Sequence, residues 1–249
     1  MPGHVLSPLV RKLETTLTLT NDEAAAICAL PVRLKEYAKG QVIIREGERP
    51  IHSFTIIEGV SAVYKTSSEG RRQILIFHVA GDFPDLQTLH LNVLDMSIFA
   101  VVRTKIGMVQ HEDIRMLYRQ YPRVGEALWR MSLLDGAILR ERMLNLGQQS
   151  AYQRIAHFFC EVTMRMKLAE LSDGVAVPMP FTQQEIGDAV GLSNIHVNRI
   201  TQELKDADLI DAKRGRLLVK NWKKLKEAAD FDPTYLHLTP AQKHLLAAS

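Results

Sequence analysis

The stretch Phe181–Ile210, "FTQQEIGDAVGLSNIHVNRITQELKDADLI", contains two helix starts separated by one stop. Thr182 followed three positions later by Glu185 is a capping box, in which each side chain accepts the other residue's backbone N–H. Ile186, Ala189 and Val190 then fall toward a core, and Gly191 supplies the left-handed residue that ends the helix. Ser193 caps a second helix. Ile195 or Val197, with Ile200 and Leu204, is available for its packed side, and Asn194, His196, Asn198, Arg199 and Gln202 are left for its other faces. Two short capped helices around a tight turn can lay the second in a major groove about 12 Å wide. The run "LIDAKRGRLLV" at 209–219 follows as two short strands around Arg214 and Gly215, a wing. The stretch therefore predicts a winged helix-turn-helix.

Working outward, the wing opens a basic run. Lys213, Arg214, Arg216, Lys220, Lys223, Lys224 and Lys226 occur without an intervening acid, which concentrates positive potential although the net charge is only +3. On the N-terminal side, Gly174, Pro178 and Pro180 in "SDGVAVPMP" at 172–180 interrupt a helical stretch. Before it, helical spacing runs from Asp113 to about Gly147 with a break at Tyr121 and Pro122. From Pro122 the helix is about 25 residues, or about 38 Å at 1.5 Å per residue. Val124, Leu128, Met131, Leu134 and Ile138 recur at steps of three and four, a stripe suited either to a core or to a second copy of the chain. The helix length beside a small roll favours the second copy.

Residues 39–83 have a different rhythm. Four or five short runs rich in Ile, Val, Phe and Tyr, punctuated by glycines and by the turn "KTSSEGRR" at 65–72, predict a small antiparallel jelly-roll closure. Residues 13–36 read as helical, with Thr20 or Asn21 as a cap and Pro31 closing the run. The whole is an α+β chain. It divides into a roll-bearing domain over 1–121, a dimerisation helix over 122–148, a DNA-binding domain over 149–226 and a C-terminal tail over 227–249.

Composition excludes several function classes. With 46% hydrophobic and 24% charged residues among 249, the chain has ordinary globular composition, and no apolar run approaches the roughly 18 residues of a membrane helix. The N-terminus lacks the pattern of a secretory signal, so a cytoplasmic location is expected. Cys28 and Cys160 cannot by themselves build a four-cysteine site and read as small buried hydrophobes. His52, His78, His90 and His111 have no spacing that forces haem or metal ligation, and no cofactor is expected. Neither a phosphate loop, an HExxH motif nor a nucleophile elbow is present, so no enzymatic activity is expected.

"KGQVIIREGERP" at 39–50, "FTIIEGVSAVY" at 54–64, "VAGDF" at 79–83, the long helix, 181–205 and the wing occur in the order of one family. The chain resembles the Crp/Fnr family of bacterial transcription regulators. That resemblance implies a cyclic-nucleotide-binding-like roll, a homodimer joined through the long helix, and binding to a palindromic double-stranded operator. RNA polymerase would be a partner for an activator, and no membrane partner is implied. Leu128, Met131 and Ile138 are the expected dimer-seam residues. Arg199 matches the recognition-helix arginine that reads a guanine, Ser193 and Gln184 match phosphate-contacting positions, and Lys213 matches a wing position near the backbone.

Departures from the family pattern are equally specific. Ile195 stands where members reading the usual half-site carry glutamate, and Asn194 where cyclic-AMP-dependent members carry arginine. Nothing at Ile195 can accept from cytosine N4, whereas Asn198 or Asn194 can pair with adenine, and His196 lies beside them. In "GDFPDLQTLHLNVLDMS" at 81–97, Leu86 replaces the ribose-binding glutamate and Met96 the phosphate-binding arginine, leaving Ser97. Leu139 and Arg140 occupy the place of the adenine-contacting Thr-Ser pair. The expectation is a transcription regulator whose effector pocket has lost cyclic AMP; the alternative is a small-molecule sensor with weakened DNA binding.

Overall fold

The computed structural model describes residues 3–15, 17–213 and 215–247. Two short helices open it, α1 (Ser7–Glu14) and α2 (Asn21–Cys28), the second started by a capping box between Thr20 and Glu23. Strands β1 (Arg33–Tyr37), β2 (Val42–Ile44), β3 (His52–Glu58), β4 (Val60–Thr66) and β5 (Arg72–Val79) follow. A 3-10 turn over Leu86–Leu89 leads to β6 (Ser97–Ala100) and β7 (Thr104–Gln110). The strands form two sheets, ordered β1-β7-β3 and β2-β6-β4-β5. Residues 13–36 are thus not one helix: Arg33–Tyr37 is extended because it pairs antiparallel with β7, from Arg33 opposite Met108 to Tyr37 opposite Thr104.

Helices α3 (His111–Gln120) and α4 (Pro122–Gln148) come next, α4 being 27 residues long. Then follow α5 (Ala151–Leu168), β8 (Val177–Pro178), α6 (Gln183–Val190) and α7 (Asn194–Asp206). Strands β9 (Ile210–Lys213) and β10 (Arg216–Val219), then α8 (Trp222–Ala228) and α9 (Pro240–Ala247), complete the chain. Two compact units result, one of residues 1–65 and 76–136 and the other of 66–75 and 137–249.

In the first unit an apolar cluster joins Leu9, Leu13, Ile27, Phe83, Leu86, Leu89, Val109, Ile114, Leu117, Val124, Ala127, Leu128 and Met131. Two residues of the expected seam lie in this cluster. Leu128 and Met131 belong to the chain's own core, and Ile138 is also buried within the chain. The apolar side chains that α4 leaves in solvent are Trp129, Leu133, Met143 and Leu144.

The second unit is built on α5, whose residues from Ile155 to Met166 are all buried. The segment after α8, expected as a tail, completes this core: Phe231 is buried and stacks edge-on against His157 and Trp222. At its centre Glu161 lies between Arg142, at 3.3 Å, and Arg165, at 3.4 Å. Tyr235 donates its hydroxyl to Glu161 Oε2 at 3.2 Å, and His157 Nε2 lies 3.2 Å from the same hydroxyl. Burial pushes the Glu161 carboxyl up, but the Arg142 and Arg165 charges outweigh it and hold the group below the ordinary value. Burial lowers His157 to about 4 despite the opposing Glu161 charge, so its ring is neutral near pH 7.

Candidate nucleic-acid interface

The helix pair forms as its sequence dictates. Thr182 N–H donates to Glu185 Oε2 at 2.7 Å, and Glu185 N–H donates to Thr182 Oγ1 at 3.2 Å. Gly191 ends α6 with φ 68° and ψ 41°, the left-handed conformation in which a side chain is strained. One turn earlier the chain comes so close that a Cβ on Gly187 would lie 2.5 Å from the Leu192 carbonyl oxygen. Glycine at 187 therefore sets how tightly the turn between α6 and α7 can close.

Ser193 caps α7, accepting from His196 N–H at 3.5 Å, and its hydroxyl lies 2.9 Å from His196 Nδ1. Val197, Ile200 and Leu204 form the packed side, all at 1% exposure or less, while Ile195 is 80% exposed. Ile195, Asn198, Arg199 and Gln202 are all exposed and spaced three and four apart, so they share one outward stripe. Asn194 and His196 are exposed in the same first turn. Arg199 is held by an ion pair to Glu203 one turn on, and Gln184 Nε2 donates to Asp188 Oδ1 at 2.6 Å.

The wing is a three-stranded sheet ordered β8-β10-β9, with Arg216 opposite both Lys213 and Pro178. Arg214 lies outside the described residues. Several of the basic side chains are matched by acids that lie before the basic run in the sequence. Lys213 bonds Asp211 at 2.9 Å, Lys220 bonds Asp208 at 2.6 Å and Arg216 bonds Asp173. The Lys213 hydrogen bond lowers the Asp211 carboxyl, and three-residue-distant Ala176 N–H, with Val175 N–H, lowers Asp173. These exposed pairs are screened and can be exchanged for phosphate contacts at little cost.

In the roll, Leu86 is buried in the apolar cluster and Met96 is half-buried, its sulfur 3.9 Å from Gln87 Nε2. Ser97 Oγ already accepts from Glu46 N–H at 3.0 Å. Next to Leu86, burial pushes the Asp85 carboxyl up to about 8, although Phe54 N–H donates to it at 2.9 Å. Ser53, Thr88 and His111 hydrogen-bond one another at 3.0 to 3.1 Å behind this turn. Arg103, on the same unit, is paired with Glu36 at the surface. His78 Nε2 lies 3.1 Å from Asp135. Among the described residues no group of three or more His, Cys, Asp or Glu side chains could hold a metal ion, and no helix is long and apolar enough to cross a membrane.

Residues 34–121 match the cyclic nucleotide-binding domain family and residues 153–228 the Crp-like helix-turn-helix domain family. The chain is 26% identical to the transcriptional activator protein FnrL of Cereibacter sphaeroides, over 79% of this chain and 80% of that protein. It is 24% identical to the nitrogen fixation regulation protein FixK of Rhizobium meliloti, over 76% of this chain and 82% of that one. The solved structure of FixK2 from Bradyrhizobium japonicum superposes with a TM-score of 0.71 at 24% identity, over 80% of this chain and 98% of that one. The two domain matches lie in the order, and on the elements, that the capped helix pair, the wing and the roll define. The chain belongs to the Crp/Fnr family of transcription regulators.

Proposed function

We propose that this regulator works as a cytoplasmic homodimer on a palindromic operator, without cyclic AMP, through an effector domain over 1–121, a dimerisation helix over 122–148 and a DNA-binding domain over 149–226. The observation that carries the DNA arm is the outward stripe of α7, with its back packed on the domain core. In the major groove, Arg199 leaves Glu203 and gives its fork to guanine O6 and N7, while Asn198 or Asn194 pairs with an adenine. Ser193, Gln184 and Lys213 take phosphates, and His196 borders the same edge. If the protein activates transcription, as the relatives named as activators do, RNA polymerase is its partner.

Binding-site selection with the full chain tests this reading. It should return a palindrome with half-sites about 10 base pairs apart, centre to centre. Arg199→Ala should cost about 1 to 3 kcal/mol per half-site and relax preference at one guanine. Lys213→Ala should weaken all sequences alike and lower the salt slope. A consensus unchanged by Arg199→Ala would refute this docking.

Loss of cyclic AMP is supported by Leu86 lying in the core cluster, Ser97 being engaged by Glu46, and Arg103 being paired with Glu36. A cyclic phosphate there would lack a counter-charge at Met96, a cost of several kcal/mol by order of magnitude. Calorimetry should give no heat of binding at about 100 µM cyclic AMP, where a ligand of about −4 kcal/mol is essentially unbound. Saturable micromolar binding coupled to tighter operator binding would refute it.

The dimer is supported by Trp129, Leu133, Met143 and Leu144, exposed along α4. Sedimentation at micromolar protein should give about twice the 28.1 kDa chain. Leu133→Asp should shift it to monomer, by placing an unpaired charge in the interface.

A further inference from the structure

We propose that Ile195 is itself a sequence-reading residue, whose side chain packs on the C5-methyl group of one thymine in each operator half-site. The inference rests on the reading that α7 enters the major groove. Ile195 is 80% exposed, the most exposed large apolar side chain among the described residues. It sits in the first turn of α7, between exposed Asn194 and His196, and one turn before Asn198 and Arg199. No packing accounts for it: Val197, Ile200, Thr201 and Leu204 make up the buried side, and its neighbours along the stripe are polar.

The N-terminal residues of a recognition helix are those that meet base edges. A β-branched side chain in a helix keeps essentially one χ1 rotamer, so Ile195 presents a fixed apolar surface to whatever faces it. Nearly every group on the base edges of the major groove is a hydrogen-bond donor or acceptor, and the prominent apolar one is the thymine methyl. Ile195 can neither accept from cytosine N4 nor donate to guanine, so opposite those bases it would strip water from a polar edge without replacing the bond. Opposite thymine it loses nothing and buries a methyl group. The position thus selects by apolar contact, and Arg199, one turn away, selects by hydrogen bonds.

The test begins with the operator selected by the full chain. Each thymine is then replaced, one symmetric pair at a time, by deoxyuridine, which removes the methyl and leaves base pairing intact, and affinity is read by fluorescence anisotropy. In the wild type, one pair should weaken binding about fourfold per half-site, the ratio expected for one buried methyl group. In Ile195→Ala that penalty should vanish, and in Ile195→Glu selection at the same position should move to cytosine. Thermal melting should leave both variants folded, as an exposed side chain requires. A flat deoxyuridine scan in the wild type overturns the proposal, as does a penalty that persists in Ile195→Ala. So does a loss of transcriptional output in Ile195→Ala with operator affinity unchanged, which would assign the side chain to a protein partner. Failure of the wild type to select any operator would appear at the first step and would overturn the docking of α7 along with the inference.

Discussion

Replacing Glu161 with alanine lowers the unfolding free energy of the second unit by about 3 to 5 kcal/mol, the usual effect of leaving buried charges without their counter-charge. Glu161 is 1% exposed and Arg142 5%, so water cannot take the carboxylate's place. The substitution also removes the acceptor of the Tyr235 hydroxyl. Urea denaturation followed through Trp222, in a Trp129→Phe background, measures the loss. Glu161→Leu combined with Arg142→Met and Arg165→Met should recover most of it, because a network replaced whole by apolar groups leaves no charge unmatched. A change below about 1 kcal/mol for Glu161→Ala would show that the three charges are hydrated after all.

Acid should destabilise the same unit through His157. Its folded value of about 4 lies below the ordinary 6.5, so between those values the unfolded state holds a proton that the folded state does not. The stabilisation is therefore fully present above pH 6.5, falls with the pH, and is gone below pH 4. At about 1.4 kcal/mol per unit, it amounts to about 3 kcal/mol. Denaturation midpoints measured every half unit should fall steeply across this window in the wild type and more shallowly in His157→Gln. Equal slopes for the two proteins would mean that the ring is hydrated rather than buried against Phe231 and Tyr235.

Legibility in the sequence followed the range of the interaction. Both helix starts at Thr182 and Ser193, and the stop at Gly191, were readable because a cap is decided within three or four residues. Residues 33–37 were not. Their Leu, Lys and Glu suit a helix locally, and only pairing with Thr104–Met108 makes them a strand. On α4 the periodicity marked an apolar stripe without telling which of two adjacent stripes the chain's own core takes. Leu128 and Met131 went inward, and Trp129 and Leu133 stayed out. Likewise the choice between Ile195 and Val197 needed coordinates, since the two differ by about 200° around the helix and either could begin an inward row. The buried network was invisible because Tyr235 is 74 residues from Glu161.

The order in which the chain is synthesised gives that last contact a further meaning. Phe231 and Tyr235 follow α8 in the chain, yet they pack on His157 at the middle of α5. Domains fold as units, N-terminal ones first as the chain emerges. The first unit can assemble while translation continues, but the second must wait for Phe231 and Tyr235 to leave the ribosome. A nascent chain or a message truncated near residue 228 consequently yields a folded first unit with an unfinished reader.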